Sequence, residues 1–305
     1  MTNGTVLRSI NNIYSVKTSD GQLYNCRIKG KKLEEAKGEY NPVVAGDKVD
    51  FEITGNGEGL VFHRQSRKSL FQRWNVKSLC NQVVCANMDF VVCVCSVQSP
   101  PFRPRFIDRV IACSRNVPVI ICMNKSDILL TEEEFERFSL YGKLGYGIIS
   151  VSAKTGENVN GLKKLLTGKT AAFVGQSGVG KSSLVNSLSG CSQRVGDVSE
   201  KYNRGRHTTN FAALLECEGF TLIDTPGFRE ISVPHDDPHL IEASFPEFRE
   251  PSLHCRYDGC LHDTEPGCAV RLLVEKGEIN ADRYESYLRM LESLQERVPV
   301  WARMK

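Results

Sequence analysis

The first chemistry in this chain of 305 residues is carried by Gly175-Gln176-Ser177-Gly178-Val179-Gly180-Lys181-Ser182, which reads G-x-x-x-x-G-K-S and continues into Ser183. This is a phosphate-binding loop. Its glycines let the backbone curl so that N–H groups converge on phosphate oxygens, and the helix that begins there adds a positive end. Lys181 serves as a point charge on the β- and γ-phosphates, and the Ser182 hydroxyl suits Mg²⁺. Alone, the loop specifies a nucleoside triphosphate and no particular base.

The base is addressed by Asn124-Lys125-Ser126-Asp127, an N-K-x-D motif. Guanine presents N1–H and its N2 amine as neighbouring donors, and the one carboxylate of Asp127 can accept both. Adenine has no such pair, and a site built around hydrogen bonds rejects the analogue that lacks them. Lys125 is expected to lie along the base, and Asn124 to tie neighbouring loops together. Ser152-Ala153-Lys154 comes one helix later, with the Ala153 N–H available to guanine O6. Beyond the phosphate loop, Arg204-Gly205-Arg206-His207-Thr208-Thr209-Asn210 has the residues of a switch loop. A threonine there, Thr208 or Thr209, brings a hydroxyl to Mg²⁺ and an N–H to the γ-phosphate. Asp224-Thr225-Pro226-Gly227 then closes an apolar strand, with Asp224 placed to hold Mg²⁺ through water and the Gly227 N–H to sense the γ-phosphate.

A further constellation is Cys255-x₄-Cys260-x-His262-x₅-Cys268. Three cysteines and one histidine make a closed tetrahedral Zn²⁺ site, structural rather than catalytic. The spacing is not the common C-x₂-C, so four reduced side chains on a loop remain the alternative on spacing alone. His254 is read as a non-ligand because the set is complete without it. The segment is short for a core of its own, so metal is expected to supply folding energy.

The elements that must position these groups follow from apolar patterning. Phe90–Val97, Val117–Met123, Ile148–Val151 and Thr170–Val174 are strand-like, with helical stretches at Phe106–Arg115, Thr131–Leu140 and Leu162–Leu166 between them. Thr131 and Glu134 form a capping box. Strands alternating with helices predict an α/β domain with a parallel sheet. Phe211–Glu216 and Phe220–Ile223 read as a hairpin around Gly219. The first 75 or so residues differ. Tyr14–Lys17 and Leu23–Ile28 flank Ser19-Asp20-Gly21, and strands around 43–53 and 59–63 follow, which suits an OB-fold barrel. Residues 64–77 hold Arg64, Arg67, Lys68, Arg73 and Lys77 with Phe71 and Trp74, and no acid lies between Glu58 and Asp89. That mixture suits a nucleic-acid strand or, equally, a basic linker anchored by its aromatics. Near the C-terminus, Tyr284, Tyr287, Leu288, Leu291 and Leu294 give one apolar helical face.

Bulk properties bound the reading. The net charge is +3, so nucleic-acid affinity has to come from local patches. The N-terminus has no secretory pattern and no apolar run spans a membrane, so the expectation is a cytoplasmic protein with no membrane partner. Of the 12 cysteines, Cys93, Cys95 and Cys122 sit in apolar strands as small hydrophobes rather than in disulfides.

The order along the chain is base motif, second base motif, phosphate loop, switch I, switch II. It resembles the circularly permuted GTPases, and with the barrel in front and the cysteine cluster behind it resembles the ribosome small subunit-dependent GTPase family RsgA (YjeQ/YloQ). The carriers are G-Q-S-G-V-G-K-S-S at 175–183, G-R-H-T-T at 205–209, D-T-P-G-F at 224–228 and the cluster ending Glu265-Pro266-Gly267-Cys268, whose spacing is similar to the family's zinc motif. The resemblance implies three units: an RNA-binding OB-fold at 1–75, a permuted GTPase domain at 76–232 and a zinc-binding, partly helical domain at 233–305. It implies GTP and GDP as ligands, Mg²⁺ with GTP, structural Zn²⁺, and the small ribosomal subunit and its rRNA as partners in late assembly, with hydrolysis stimulated by the subunit and the chain a monomer. Phe228 stands where Ras-like proteins carry a water-positioning glutamine, so catalytic help is expected from His207, to which the resemblance also points. Two other classes fit in part: an RNA-binding scaffold that holds GTP with negligible useful hydrolysis, and a metabolic phosphotransferase, against which N-K-x-D argues. Switch II runs directly toward the zinc segment, so the γ-phosphate state is expected to reorient residues 239–305.

Overall fold

The computed structural model describes residues 2–30, 33–36, 39–115, 117–189, 211–234 and 237–297. Five strands begin the chain: β1 (Thr2–Ile10), β2 (Ile13–Lys17), β3 (Leu23–Ile28), β4 (Lys48–Gly55) and β5 (Glu58–Arg64). They pair in the order β1-β2-β3-β5-β4, and β4 returns to β1, closing a barrel. β1 can serve both neighbours because its register shifts between Val6 and Arg8, a bulge that turns the strand around the corner. Alternate residues point inward, so Val6, Tyr14, Val16, Cys26, Val49, Phe51 and Val61 fill the interior.

Two strands went unforeseen. β6 (Leu70–Asn75) and β7 (Cys80–Ala86) form a separate antiparallel hairpin. The pair packs toward the following domain, with Phe71 buried 6.3 Å from the Phe228 ring and the Trp74 N–H donating to Ser232 O at 2.9 Å. Gly46 joins barrel to hairpin. Its φ is +90°, and a Cβ there would lie 2.0 Å from Ala86 O.

The barrel accounts for two of the five basic residues of 64–77. Arg64 is buried and donates to Glu39 and to the carbonyls of Pro42 and Glu35. Arg67 forks onto Asp47, both contacts at 2.8 Å, and also reaches Glu39. Both guanidinium groups are consumed inside the fold and do not face a nucleic acid. Lys68 and Lys77 remain exposed.

The central domain alternates β8 (Phe90–Ser96), α1 (Pro104–Ser114), β9 (Val119–Asn124), α2 (Glu132–Lys143), β10 (Gly147–Ser150), α3 (Val159–Leu166), β11 (Thr170–Gly175) and α4 (Lys181–Ser189), then the hairpin β12 (Ala213–Cys217) and β13 (Phe220–Asp224). Proline in the first turn starts α1, and Thr131 with Glu134 closes the expected capping box on α2. The spatial order is β10-β9-β8-β11-β13-β12, parallel except for β12. The chain winds outward from β8 to β10, returns to the middle at β11, and continues the other way. The reversal between β8 and β11 is a topological switch point, where open α/β sheets bind ligands beyond their strand ends. One face of the sheet packs on α3 and α4, the other on α1, α2 and the C-terminal segment. β12 also pairs with β1 at Ala213 and Arg8, so barrel and central sheet form one run of eleven strands.

The C-terminal segment carries α5 (His239–Glu242), α6 (Arg249–Ser252), α7 (Ala269–Glu275) and α8 (Ala281–Gln295). Tyr287, Met290, Leu291 and Leu294 bury the predicted face of α8 in the cluster that includes Ile107, Val110 and Ile111 of α1. Arg283 is buried with them. It donates to Asp108 of α1 and to Glu247, and lies over the rings of Tyr141 and Phe245. Tyr141 donates to Asp108 as well, at 2.7 Å. This segment therefore shares the domain's core, and metal is not its sole support. The connector is fastened too: Ile231 O accepts from Arg109 at 3.0 Å and Val233 O from Arg297 at 2.8 Å. A swing of residues 239–305 has these contacts and the Arg283 network to break. Among the described residues no helix is long and apolar enough to cross a membrane.

Candidate nucleotide site and metal centre

The phosphate loop leaves β11 at Gly175 and enters α4 at Lys181. Gly178 and Gly180 have φ of +89° and +85°, and a Cβ on Gly180 would lie 2.3 Å from Asn124 Nδ2. Only glycine admits that approach. Asn124, at the end of β9, is buried and joins two loops. Its Nδ2 donates to Val179 O at 2.8 Å, and its Oδ1 accepts from the Ala153 N–H at 3.0 Å. A guanine O6 would share or take that Ala153 donor. Lys125 has a left-handed backbone, φ +66°. Its ammonium donates to the carbonyls of Gln98, Ser99 and Gly178 at 2.8–3.0 Å, which clamps the loop after β8 to the phosphate loop. Partial burial lowers the Lys125 pKa, against the opposing pull of Asp127.

Asp127 accepts from the Ser152 hydroxyl at 2.7 Å, and Lys154 Nζ stands 3.8 Å from its second oxygen. The Ser152 bond holds the Asp127 carboxyl below the usual aspartate range, so it stays an acceptor to lower pH than an ordinary aspartate. Ser152 thus orients Asp127, a role its tripeptide did not reveal. Lys154 itself is largely exposed.

Lys181 is buried and ion-paired to Asp224 at the end of β13. Ser182 and Ser183 are exposed on the first turn of α4, while the Val179 side chain is buried in the core. Gly227 packs on Ser177, where a Cβ would approach its Cα to 3.3 Å. The next residue laces this segment to the loop. The Phe228 N–H donates to Gly175 O and Phe228 O accepts from the Ser177 N–H, both at 3.1 Å, and Gln176 pairs with Phe228 as a parallel bridge. The Phe228 ring is buried beside Phe71, with the Arg73 guanidinium 5.4 Å from its centroid. His207, Thr208 and Thr209 lie outside the described residues.

The second site gathers Cys255, Cys260, His262 and Cys268, whose ligand atoms all lie within 4.8 Å of one another. Cys255 Sγ and Cys268 Sγ are 3.9 Å apart, and His262 Nδ1 is 3.6 and 3.4 Å from them. A tetrahedron with Zn–S of about 2.3 Å and Zn–N of about 2.0–2.1 Å has edges of about 3.8 and 3.6 Å. The donor set fits zinc in type and size. Burial works against the thiolate at Cys255, yet the N–H groups of Ala269 and Val270 at the start of α7 outweigh it and hold its pKa below the ordinary value. His262 turns Nε2 toward Glu242, 3.3 Å away, which fixes Nδ1 toward the sulfurs. Spacing alone could not have found Glu242.

The RsgA GTPase family profile matches residues 64–234, more than half the chain. The chain belongs to the RsgA GTPase family. The RsgA N-terminal domain profile matches residues 3–61, the closed barrel. Among curated relatives, the chain is 38% identical over 293 residues to the small ribosomal subunit biogenesis GTPase RsgA of Borrelia garinii subsp. bavariensis, covering 95% of each chain. It is 37% identical over 302 residues to RsgA 2 of Bacteroides thetaiotaomicron, covering 96% of this chain and 97% of the relative. Among solved structures it is similar to YjeQ of Thermotoga maritima, with a TM-score of 0.70 at 27% identity over 96% of this chain and 98% of the other. YloQ, described as a circularly permuted GTPase, gives 0.68 at 25% identity over 98% and 96%. The RsgA fold carries the permutation visibly: β9 and β10, which lead into the base motifs, precede β11 and its phosphate loop.

Proposed function

We propose that this chain is a GTPase of small ribosomal subunit biogenesis, binding GTP with Mg²⁺ and hydrolysing it to GDP and phosphate. The observation that carries the reading is Asp127, held in place by the Ser152 hydroxyl just beyond the end of β9, on loops that Asn124 and Lys125 tie to the phosphate loop. Asp127 selects guanine. The N–H groups of 180–183 at the start of α4, with the Lys181 ammonium, bind the phosphates. Ser182 and Asp224 would hold Mg²⁺, which supplies charge neutralisation at the phosphates. For that, Lys181 exchanges its ion pair with Asp224 for phosphate oxygens. Gly227, packed on Ser177, reports the γ-phosphate; Thr208 and Thr209 join it from switch I.

Phe228 points into the core, so it orients no water, and His207 takes that part. Unaided hydrolysis is slow on this reading, and the small subunit stimulates it during late assembly. Relatives across the whole length carry the name small ribosomal subunit biogenesis GTPase, which supports this partner. The Cys₃His cluster holds structural Zn²⁺. The units are the barrel of β1–β5, the GTPase domain to residue 232 with the β6–β7 hairpin packed on it, and 233–305, and the chain acts in the cytoplasm as a monomer.

Multiple-turnover phosphate release from GTP and from ATP, with and without purified small subunits, tests this. The expected outcome is turnover of GTP alone, raised strongly by the subunit. Equal use of ATP would point to a phosphotransferase, and no turnover in either condition to a scaffold.

A further inference from the structure

Two cavities meet over the segment that follows Gly227. One, of about 930 Å³, lies between the 40–45 loop, the β6–β7 hairpin and residues 226–230, and the half-exposed rings of Tyr40 and Phe211 line it. The other, of about 490 Å³, lies between the start of α1 and α8. Arg103, Arg229 and Glu230 line both, so the cavities form one groove crossing switch II.

The arginines of the second cavity are largely matched. Arg105 and Arg289 pair with Glu285, and Arg137 with Glu133 and Asp282. Arg103 and Arg229 are exposed and make no ion pair or side-chain hydrogen bond among the described residues. Arg73, in the first cavity, donates to Gln82 but leaves its buried Nε without an acceptor. Unmatched guanidinium forks suit phosphate oxygens. Exposed rings among such charges suit the faces of unpaired bases.

We propose that this groove holds a single-stranded segment of RNA, with its phosphates on Arg103 and Arg229 and its bases against Tyr40 and Phe211. The inference deepens the preceding reading, because it takes 224–228 as the segment that responds to GTP. Arg229 follows Phe228, whose main chain is bonded to Gly175 and Ser177 of the phosphate loop. A strand seated on Arg229 therefore acts on the loop through two backbone hydrogen bonds, and by linkage the nucleotide acts back on RNA affinity.

The test uses the full chain and a labelled mixed-sequence RNA of about 12 nucleotides. Anisotropy is read without nucleotide, with GDP and with a non-hydrolysable GTP analogue. The double variant Arg103→Glu/Arg229→Glu is expected to bind the RNA at least about tenfold more weakly at physiological salt. Its log–log salt slope should be shallower by about 1.4, two phosphates at about 0.7 each. Tyr40→Ala/Phe211→Ala should weaken binding at an unchanged slope. GTP turnover without RNA should stay within about twofold of wild type, with an unaltered thermal midpoint as the check on folding. Unchanged RNA affinity and slope in the charge-reversed variant overturn the proposal. So does loss of binding to a polyglutamate peptide with RNA binding retained, which assigns the groove to an acidic protein. GTP-analogue affinity is read on the same samples. Its absence removes the GTPase reading, while the nucleotide-free arm still decides the groove.

Discussion

The nucleotide site and the Cys/His cluster are built on opposite plans. The first draws on residues from Gln98 to Phe228, brought together by the ends of β8, β9, β10, β11 and β13, and its polar groups already satisfy one another. Lys181 holds Asp224, Asn124 holds Val179 and Ala153, and Ser152 holds Asp127. The second takes all four ligands from residues 255–268, and their ligand atoms converge on one point. A site of the first kind stands without its ligand and must exchange contacts on binding. A site of the second kind is completed only by a cation.

Metal removal should produce the largest separation between them. A strong chelator withdraws about 10–16 kcal/mol of binding energy. Hydrogen exchange should then rise through residues 253–270, while β8, β9 and β11 keep their protection. Thiol titration should find Cys255, Cys260 and Cys268 newly reactive. Cys113 and Cys122, whose pKa values burial pushes up to about 12, should stay silent. Protection that persists at 253–270 would break the contrast.

The Arg283 network joins the two regions and offers the next test. Arg283→Met leaves Asp108 and Glu247 without their buried partner, which costs about 3–5 kcal/mol. Unfolding monitored by urea should show α8 released early, with GTP affinity retained. Loss of GTP affinity in step with α8 would mean that the two sites are not separately supported.

Lys181→Ala comes third. It removes the phosphate's charge partner, so GTP turnover should fall about 10²–10³-fold. Asp224 is left without the ammonium, so the melting temperature should fall as well. An unchanged melting temperature would show that this ion pair adds nothing to the empty site.

The smallest effect concerns pH. Ser152 donation lowers the Asp127 pKa, so guanine binding should persist to lower pH than an ordinary aspartate allows. In Ser152→Ala the carboxyl returns toward its ordinary value, and the acid limb of GTP affinity should move up in pH. Superimposable acid limbs would count against Ser152 as the group that orients Asp127.

Much of this was legible in the sequence because the chemistry demands fixed residue types directly after apolar strands. Gly175–Ser182, Asn124–Asp127 and Asp224–Gly227 all sit where strand ends were expected. What stayed hidden depends on partners far along the chain. Arg64 and Arg67 looked free because Glu39 and Asp47, which neutralise them, precede them by many residues. Arg283 meets Asp108 only through the docking of α8 on α1. β6 escaped notice because buried Phe71 and Gln72 are adjacent, and the register shift between them breaks the alternation that marks a strand.

The position of β8 has a consequence during synthesis. β8 lies in mid-sheet, yet its inner neighbour β11 is encoded well downstream. The ribosome adds about 5–20 residues per second, so Ser96 emerges several seconds before Thr170. For that interval β8, β9 and β10 can pair only among themselves, with the inner edge of β8 open to any other strand. Such an edge invites misassociation. The barrel strands β1 to β5 have already emerged and can close by then. Each new molecule thus passes through a stage in which its finished part is the barrel and its unfinished part is an adhesive half-sheet; β11 brings the phosphate loop and passes the open edge to itself, and β13 covers that edge.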